Sequence, residues 1–140
     1  MRKAARRWDG TEYLRKHQLS PLQIGSEPDH RLALVVTIPA HDEPNLVKAL
    51  ESLSVCARPV EAVEIIVGLN LPEDSTTALQ LRHAKFLGAA RRFAAERSNA
   101  GYRIHILDYP ALPTRHATRA RGLPNVELQI LRRAYEQILG

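Results

Sequence analysis

Leu32-Ala33-Leu34-Val35-Val36-Thr37-Ile38-Pro39-Ala40-His41-Asp42-Glu43-Pro44 decides how this chain is read. Seven apolar or β-branched residues run without interruption to Pro39. Such a run, with no polar alternation, predicts a strand buried on both faces, as in a parallel sheet. The pattern then changes. Pro44 suits the first position of a helix, and acidic residues just before it favour the positive end of a helix dipole. Leu46, Leu50 and Leu53 recur at helical spacing, and Ala57-Arg58-Pro59 ends the segment.

The same alternation repeats downstream. Val63-Glu64-Ile65-Ile66-Val67-Gly68-Leu69 reads as a second buried strand, running into a loop at Asn70-Leu71-Pro72-Glu73-Asp74. Ser75 is a suitable cap for a long helix over residues 76–97, with Leu79, Phe86, Ala90 and Phe93 along one side. Asn99-Ala100-Gly101 closes that helix, and Tyr102–Leu107 forms a third strand before Pro110 and Pro113. Strand, helix, strand, helix, strand predicts a parallel α/β sheet with right-handed crossovers. Ligands of such sheets bind beyond the carboxyl ends of the strands. Those ends are Pro39–Glu43, Leu69–Asp74 and Asp108–Pro113.

Around this body lie two basic flanks. The chain has 140 residues, with 20 basic and 15 acidic, a net charge of +5 and a pI near 9.8. Residues 1–31 carry a net +3, residues 32–114 a net −1, and residues 115–140 a net +3. The excess is therefore outside the segment with the core signals. The seven aromatic residues are not interleaved with the basic clusters. A nucleic-acid groove is thus the weaker reading, and solvated flanking charge the stronger. An electrostatic tether to an anionic membrane or to nucleic acid is what the flanks leave open.

Other classes are excluded or disfavoured. Apolar residues at 44% and charged residues at 25% are ordinary for a folded domain. The single cysteine, Cys56, excludes an internal disulfide framework and an all-cysteine zinc site; it reads as a buried or inert thiol. No apolar run is long enough to span a bilayer, and the basic start is followed by Trp8-Asp9-Gly10-Thr11-Glu12 rather than an apolar stretch. The expectation is a cytoplasmic protein, with peripheral membrane association as the alternative. Weak helical character covers Thr11–Gln18, Gly25–Asp29 reads as a linker, and Asn125 caps a last helix with Leu128, Leu131, Tyr135 and Ile138 on one face. These divisions give an N-terminal extension over residues 1–31, an α/β unit over 32–113 and a basic tail over 114–140.

His41-Asp42-Glu43 is the densest polar cluster. As a helix start it needs no function. As a pocket at a strand's carboxyl end, it can hydrogen-bond a ribose or a base. The sequence has no Gly-x-Gly-x-x-Gly after the first strand and no Gly-x-x-x-x-Gly-Lys-Ser/Thr, so the common phosphate cradles are missing. His83 reads as a solvated residue of the long helix, His105 as facing either pocket or solvent, and Arg91-Arg92 as helix surface. Asp108 is a lone acid before Tyr109-Pro110.

Val36-Thr37-Ile38-Pro39-Ala40-His41-Asp42-Glu43, Leu50-Glu51-Ser52-Leu53 and Val63-Glu64-Ile65-Ile66-Val67 together resemble the opening of family-two-like glycosyltransferases with the GT-A fold. The resemblance covers about residues 32–113. It implies a partial GT-A, Rossmann-like sheet of about three parallel strands, binding a nucleoside-diphosphate sugar of the UDP type for transfer to an unknown acceptor. Carried over position by position, Pro39, Ala40, Asp42 and Glu43 fall on the nucleotide-contact segment, with Glu43 the ribose or base contact. The family's second contact is an Asp after strand two. Asn70 stands there instead, and its amide both donates and accepts. The family holds Mg²⁺ or Mn²⁺ with an Asp-x-Asp motif, and a later acid activates the acceptor. No Asp-x-Asp occurs in this chain. The resemblance therefore implies an incomplete domain, truncated before its metal and catalytic motifs, or one completed by a partner subunit. Enzyme activity is left open. The alternative is a non-enzymatic nucleotide-binding or interaction module with basic flanks.

Overall fold

The computed structural model describes residues 23–113. The predicted weak helix at 11–18 and final helix after Asn125 lie outside them, as do most of the extension and the tail. The described chain forms β1 (Leu32–Ala40), α1 (Leu46–Ser54), β2 (Ala62–Pro72), α2 (Thr77–Arg97) and β3 (Tyr102–Leu112). All strand pairs are parallel, in the order β1-β2-β3. The fold is α/β, a three-stranded Rossmann-like sheet with two helices.

Each crossover moves one strand in the same direction, so right-handed connections put both helices on one face. The packing agrees. Leu46 and Leu50 of α1, and Leu87, Ala90, Phe93 and Ala94 of α2, share one core with Val63, Ile65, Val67 and Leu69 of β2. The alternate residues of the sheet build a smaller core on the opposite face, from Ile66, Leu107, Tyr109 and Leu112. Ile24 packs there too, so the segment read as leading into a linker contributes to the fold. Gln23 reinforces this. Its side-chain amide donates to the Asp108 carbonyl at 2.8 Å and accepts from the Asp108 N–H at 2.9 Å, as a neighbouring strand would.

Three expectations are corrected. The first apolar run was expected to be buried on both faces, but β1 is an edge strand among the described residues and Leu34 is 46% exposed. The strand that fits that expectation is β2, buried at all 11 positions. Composition marks a strand as apolar, but its place in the sheet depends on the other strands. The third strand continues past Leu107 through Pro110 to Leu112. Proline lacks the N–H of a central strand, and β3 is the other edge among the described strands. Likewise β2 runs to Pro72, so Asn70 lies in the sheet rather than in a loop.

Pro44, expected at the first position of α1, instead lies in the turn before the Asn45 cap, whereas the start of α2 follows the sequence closely. Thr76, one residue after the expected Ser75, caps α2, its Oγ1 accepting from the Leu79 N–H at 3.2 Å. No helix among the described residues is long and apolar enough to cross a membrane.

Candidate functional site

The parallel register aligns the strand ends. Ala40 pairs with Leu69, Leu69 with Asp108, and Asn70 with Tyr109. The polar turn after β1 therefore sits beside the end of β2, one strand from Asp108 and Tyr109.

The turn is shaped by Asp42, at φ 47°. Aspartate enters this left-handed region more readily than most residues. Its carboxylate takes a two-pronged hydrogen bond from Arg82 of α2, Nε to Oδ1 at 2.9 Å and Nη2 to Oδ2 at 3.1 Å. The Arg82 hydrogen bond holds the Asp42 carboxyl below its usual value, against a smaller opposing effect of desolvation. His41 ties the first two strand ends together: its Nδ1–H donates to the Asn70 carbonyl at 3.1 Å. A carbonyl only accepts, so the neutral ring carries its proton on Nδ1 and leaves Nε2 as an acceptor.

Asn70 and Tyr109 are the unusual pair. They are register partners on adjacent strands, on the face away from the helices. Asn70 is 3% exposed and Tyr109 2%. Among the described residues, the Asn70 Oδ1 and the Tyr109 hydroxyl are both buried without a hydrogen-bond partner. Burial pushes the Tyr109 hydroxyl up to about 12.

On the helix side, His83 of α2 reaches β3, its Nε2 2.7 Å from Asp108 Oδ1. His83 was expected to be solvated, but it is 8% exposed. Asp108, expected to be a lone acid, is its partner. The signal was present in the sequence: His83, Leu87, Ala90 and Ala94 follow helical spacing, so His83 lies on the buried stripe. Arg82 is its exposed neighbour, and neither its role nor that of Tyr109 was anticipated.

Of the five residues expected to contact a nucleotide, the structure brings Asp42 and Asn70 to the same end of the sheet through His41. Ala40 is buried against the helix-side core, and Pro39 is exposed on β1. Glu43 is exposed, and its Oε1 accepts from the Asn45 N–H at 2.9 Å within the turn. Its other oxygen can reach a ligand. Among the described residues, no three His, Cys, Asp or Glu side chains gather closely enough to hold a metal ion.

Elsewhere, His105 Nε2 lies 3.1 Å from Glu64 Oε1, Arg91 and Arg92 are exposed as expected, and Cys56 is an exposed free thiol rather than a buried one. The chain matches no protein-family profile, no curated protein sequence and no solved structure.

Proposed function

We propose that the carboxyl ends of the strands bind a nucleoside diphosphate, as the donor-binding half of a sugar-transfer protein. The observation that carries this reading is the pair of unpartnered polar groups on Asn70 and Tyr109. A buried polar group without a partner costs about 1–3 kcal/mol. A ligand that hydrogen-bonds both groups offsets that cost. The Asn70 amide offers both a donor and an acceptor, which matches the edge of a uracil-like base. His41 Nε2 can accept from a ribose hydroxyl, and the second oxygen of Glu43 can do the same. Arg82, half-exposed and at the same end, already donates to Asp42 through Nε and Nη2, so Nη1 is what it offers the diphosphate.

Transfer of the sugar to an acceptor is the reaction class that the resemblance of residues 32–113 implies. The divalent cation expected of that family belongs to the resemblance, and the role proposed here for the described residues is binding of the nucleotide alone. A second reading is a nucleotide-binding module without catalysis. It is favoured by the pairing of Asp42 with Arg82 and of Asp108 with His83, which occupies both aspartates of this end.

Isothermal titration of the full chain with UDP tests the binding. Tyr109→Phe and Asn70→Leu, shown by circular dichroism to be folded, are expected to weaken it about tenfold each, equal to about 1.4 kcal/mol. Absence of binding heat with UDP and other nucleoside diphosphates would sink the proposal. Unchanged heat in Glu43→Ala would remove Glu43 from the site. Release of free sugar from a UDP-sugar separates the transferase reading from the binding module.

A further inference from the structure

The opposite end of the sheet carries a separate feature. Between the starts of the three strands and the loop after α1 lies a half-open cavity of ≈ 70 Å³. Val36, Leu53 and Ile65 give it apolar walls, and Tyr102 closes one side. Tyr102 is 2% exposed, and its hydroxyl is buried without a partner among the described residues. Arg58 lines the mouth, its guanidinium carbon 3.9 Å from the centre of the Tyr102 ring. One guanidinium nitrogen donates weakly to the Ser54 carbonyl at 3.3 Å. Cys56, also exposed, lines the cavity beside it.

These parts specify a ligand class. Apolar walls call for a hydrocarbon group, an unpartnered hydroxyl calls for an acceptor, and a guanidinium calls for an anion. The volume is about half that of an engineered ~150 Å³ cavity that admits benzene, which limits the apolar part to a few carbons. A phosphate ester would also match the guanidinium, but a planar carboxylate takes up less of the ≈ 70 Å³.

We propose that this cavity binds a short-chain carboxylate, its tail against Val36, Leu53 and Ile65 and its head held by Arg58 and the Tyr102 hydroxyl. The site is independent of the nucleotide site and needs no covalent step.

Cys56 is the chain's single cysteine and stands at the mouth, so its alkylation reports occupancy. The experiment measures the rate at which iodoacetamide modifies the full chain in increasing butanoate, with ionic strength held constant by chloride. Butanoate at millimolar concentration is expected to slow alkylation severalfold. Butan-1-ol lacks the head and acetate lacks the tail, and neither is expected to protect. Tyr102→Phe keeps the ring and removes the hydroxyl; Arg58→Gln removes the charge. Each is expected to raise the half-protecting concentration about tenfold, with circular dichroism showing a folded chain. Failure of butanoate to protect Cys56 overturns the proposal. So does equal protection by butan-1-ol, or protection unchanged in both variants. Inorganic phosphate protecting as well as butanoate assigns the mouth to phosphate and also overturns it.

Discussion

Glu64 sits in the middle of β2 with no exposed surface, its carboxylate 3.1 Å from His105 Nε2 and 3.8 Å from Arg103 Nη1. Glu64→Gln keeps the length and shape of the side chain and removes its charge. Arg103 loses little, because it is partly exposed and already donates to the Glu27 carbonyl at 2.7 Å. The main loss is the charge-assisted hydrogen bond from His105, about 1.5–3 kcal/mol. For a chain near 150 residues, each kcal/mol moves the midpoint by about 2–4 °C. A loss of about 2 kcal/mol therefore lowers Tm by about 4–8 °C. The assay is thermal unfolding followed by circular dichroism at pH 7, with guanidinium unfolding for the free energy. Glu61→Gln, at an exposed position three residues earlier, serves as control and should stay within about 0.5 kcal/mol of wild type. Combining Glu64→Gln with His105→Gln should cost at least about 1 kcal/mol less than the two single effects added together. A Glu64→Gln midpoint within about 1 °C of wild type would refute the reasoning. Desolvation of the carboxylate would then cancel the pair.

Asp42→Asn probes the ion pair with Arg82 while keeping a residue that tolerates φ 47°. Arg82 holds the Asp42 carboxyl below 3.8, so the pair stabilises the fold above that pH and stops doing so as pH falls through the folded value. The wild-type advantage over Asp42→Asn should be present at pH 6 and shrink in acid unfolding curves as the pH falls below 3.8; an advantage that grows on acidification contradicts it. Tyr109→Phe should be neutral or stabilising at pH 7 by up to about 1 kcal/mol, because the hydroxyl has no partner to lose. Burial raises that hydroxyl from 10.0 to about 12. Its contribution is thus fully present below pH 10 and lost as pH rises through 12. The phenylalanine variant should therefore resist alkaline unfolding better; a variant destabilised by more than about 1 kcal/mol at pH 7 would show that the hydroxyl is bonded in solution.

The sheet was legible because β1 and β2 carry dense apolar runs, β3 alternates apolar and polar residues at its start, and each helix has leucines or alanines at helical spacing. Strand order was not. β1 and β2 are both rich in valine and isoleucine, and only pairing shows that β2 is flanked on both sides. Proline misled twice, since Pro110 lies in an edge strand that tolerates a missing N–H and Pro72 is the last residue of β2. At the site, the turn around His41 and Asp42 was visible as a cluster. The contacts of Asp42 with Arg82 and of His83 with Asp108 span 40 and 25 positions. No local pattern encodes such pairs. The helical stripe through His83, Leu87, Ala90 and Ala94 encodes only the burial of the histidine.

The most direct test of the nucleotide site is a ¹H–¹⁵N correlation spectrum of the full chain titrated with UDP. Saturable shifts are expected in the amides of Ala40–Glu43, Leu69–Leu71 and Asp108–Tyr109, and in the Arg82 side chain, with Arg58 and Tyr102 unmoved. No saturable shift, or shifts confined to Arg58, Tyr102 and the amino ends of the strands, would contradict it.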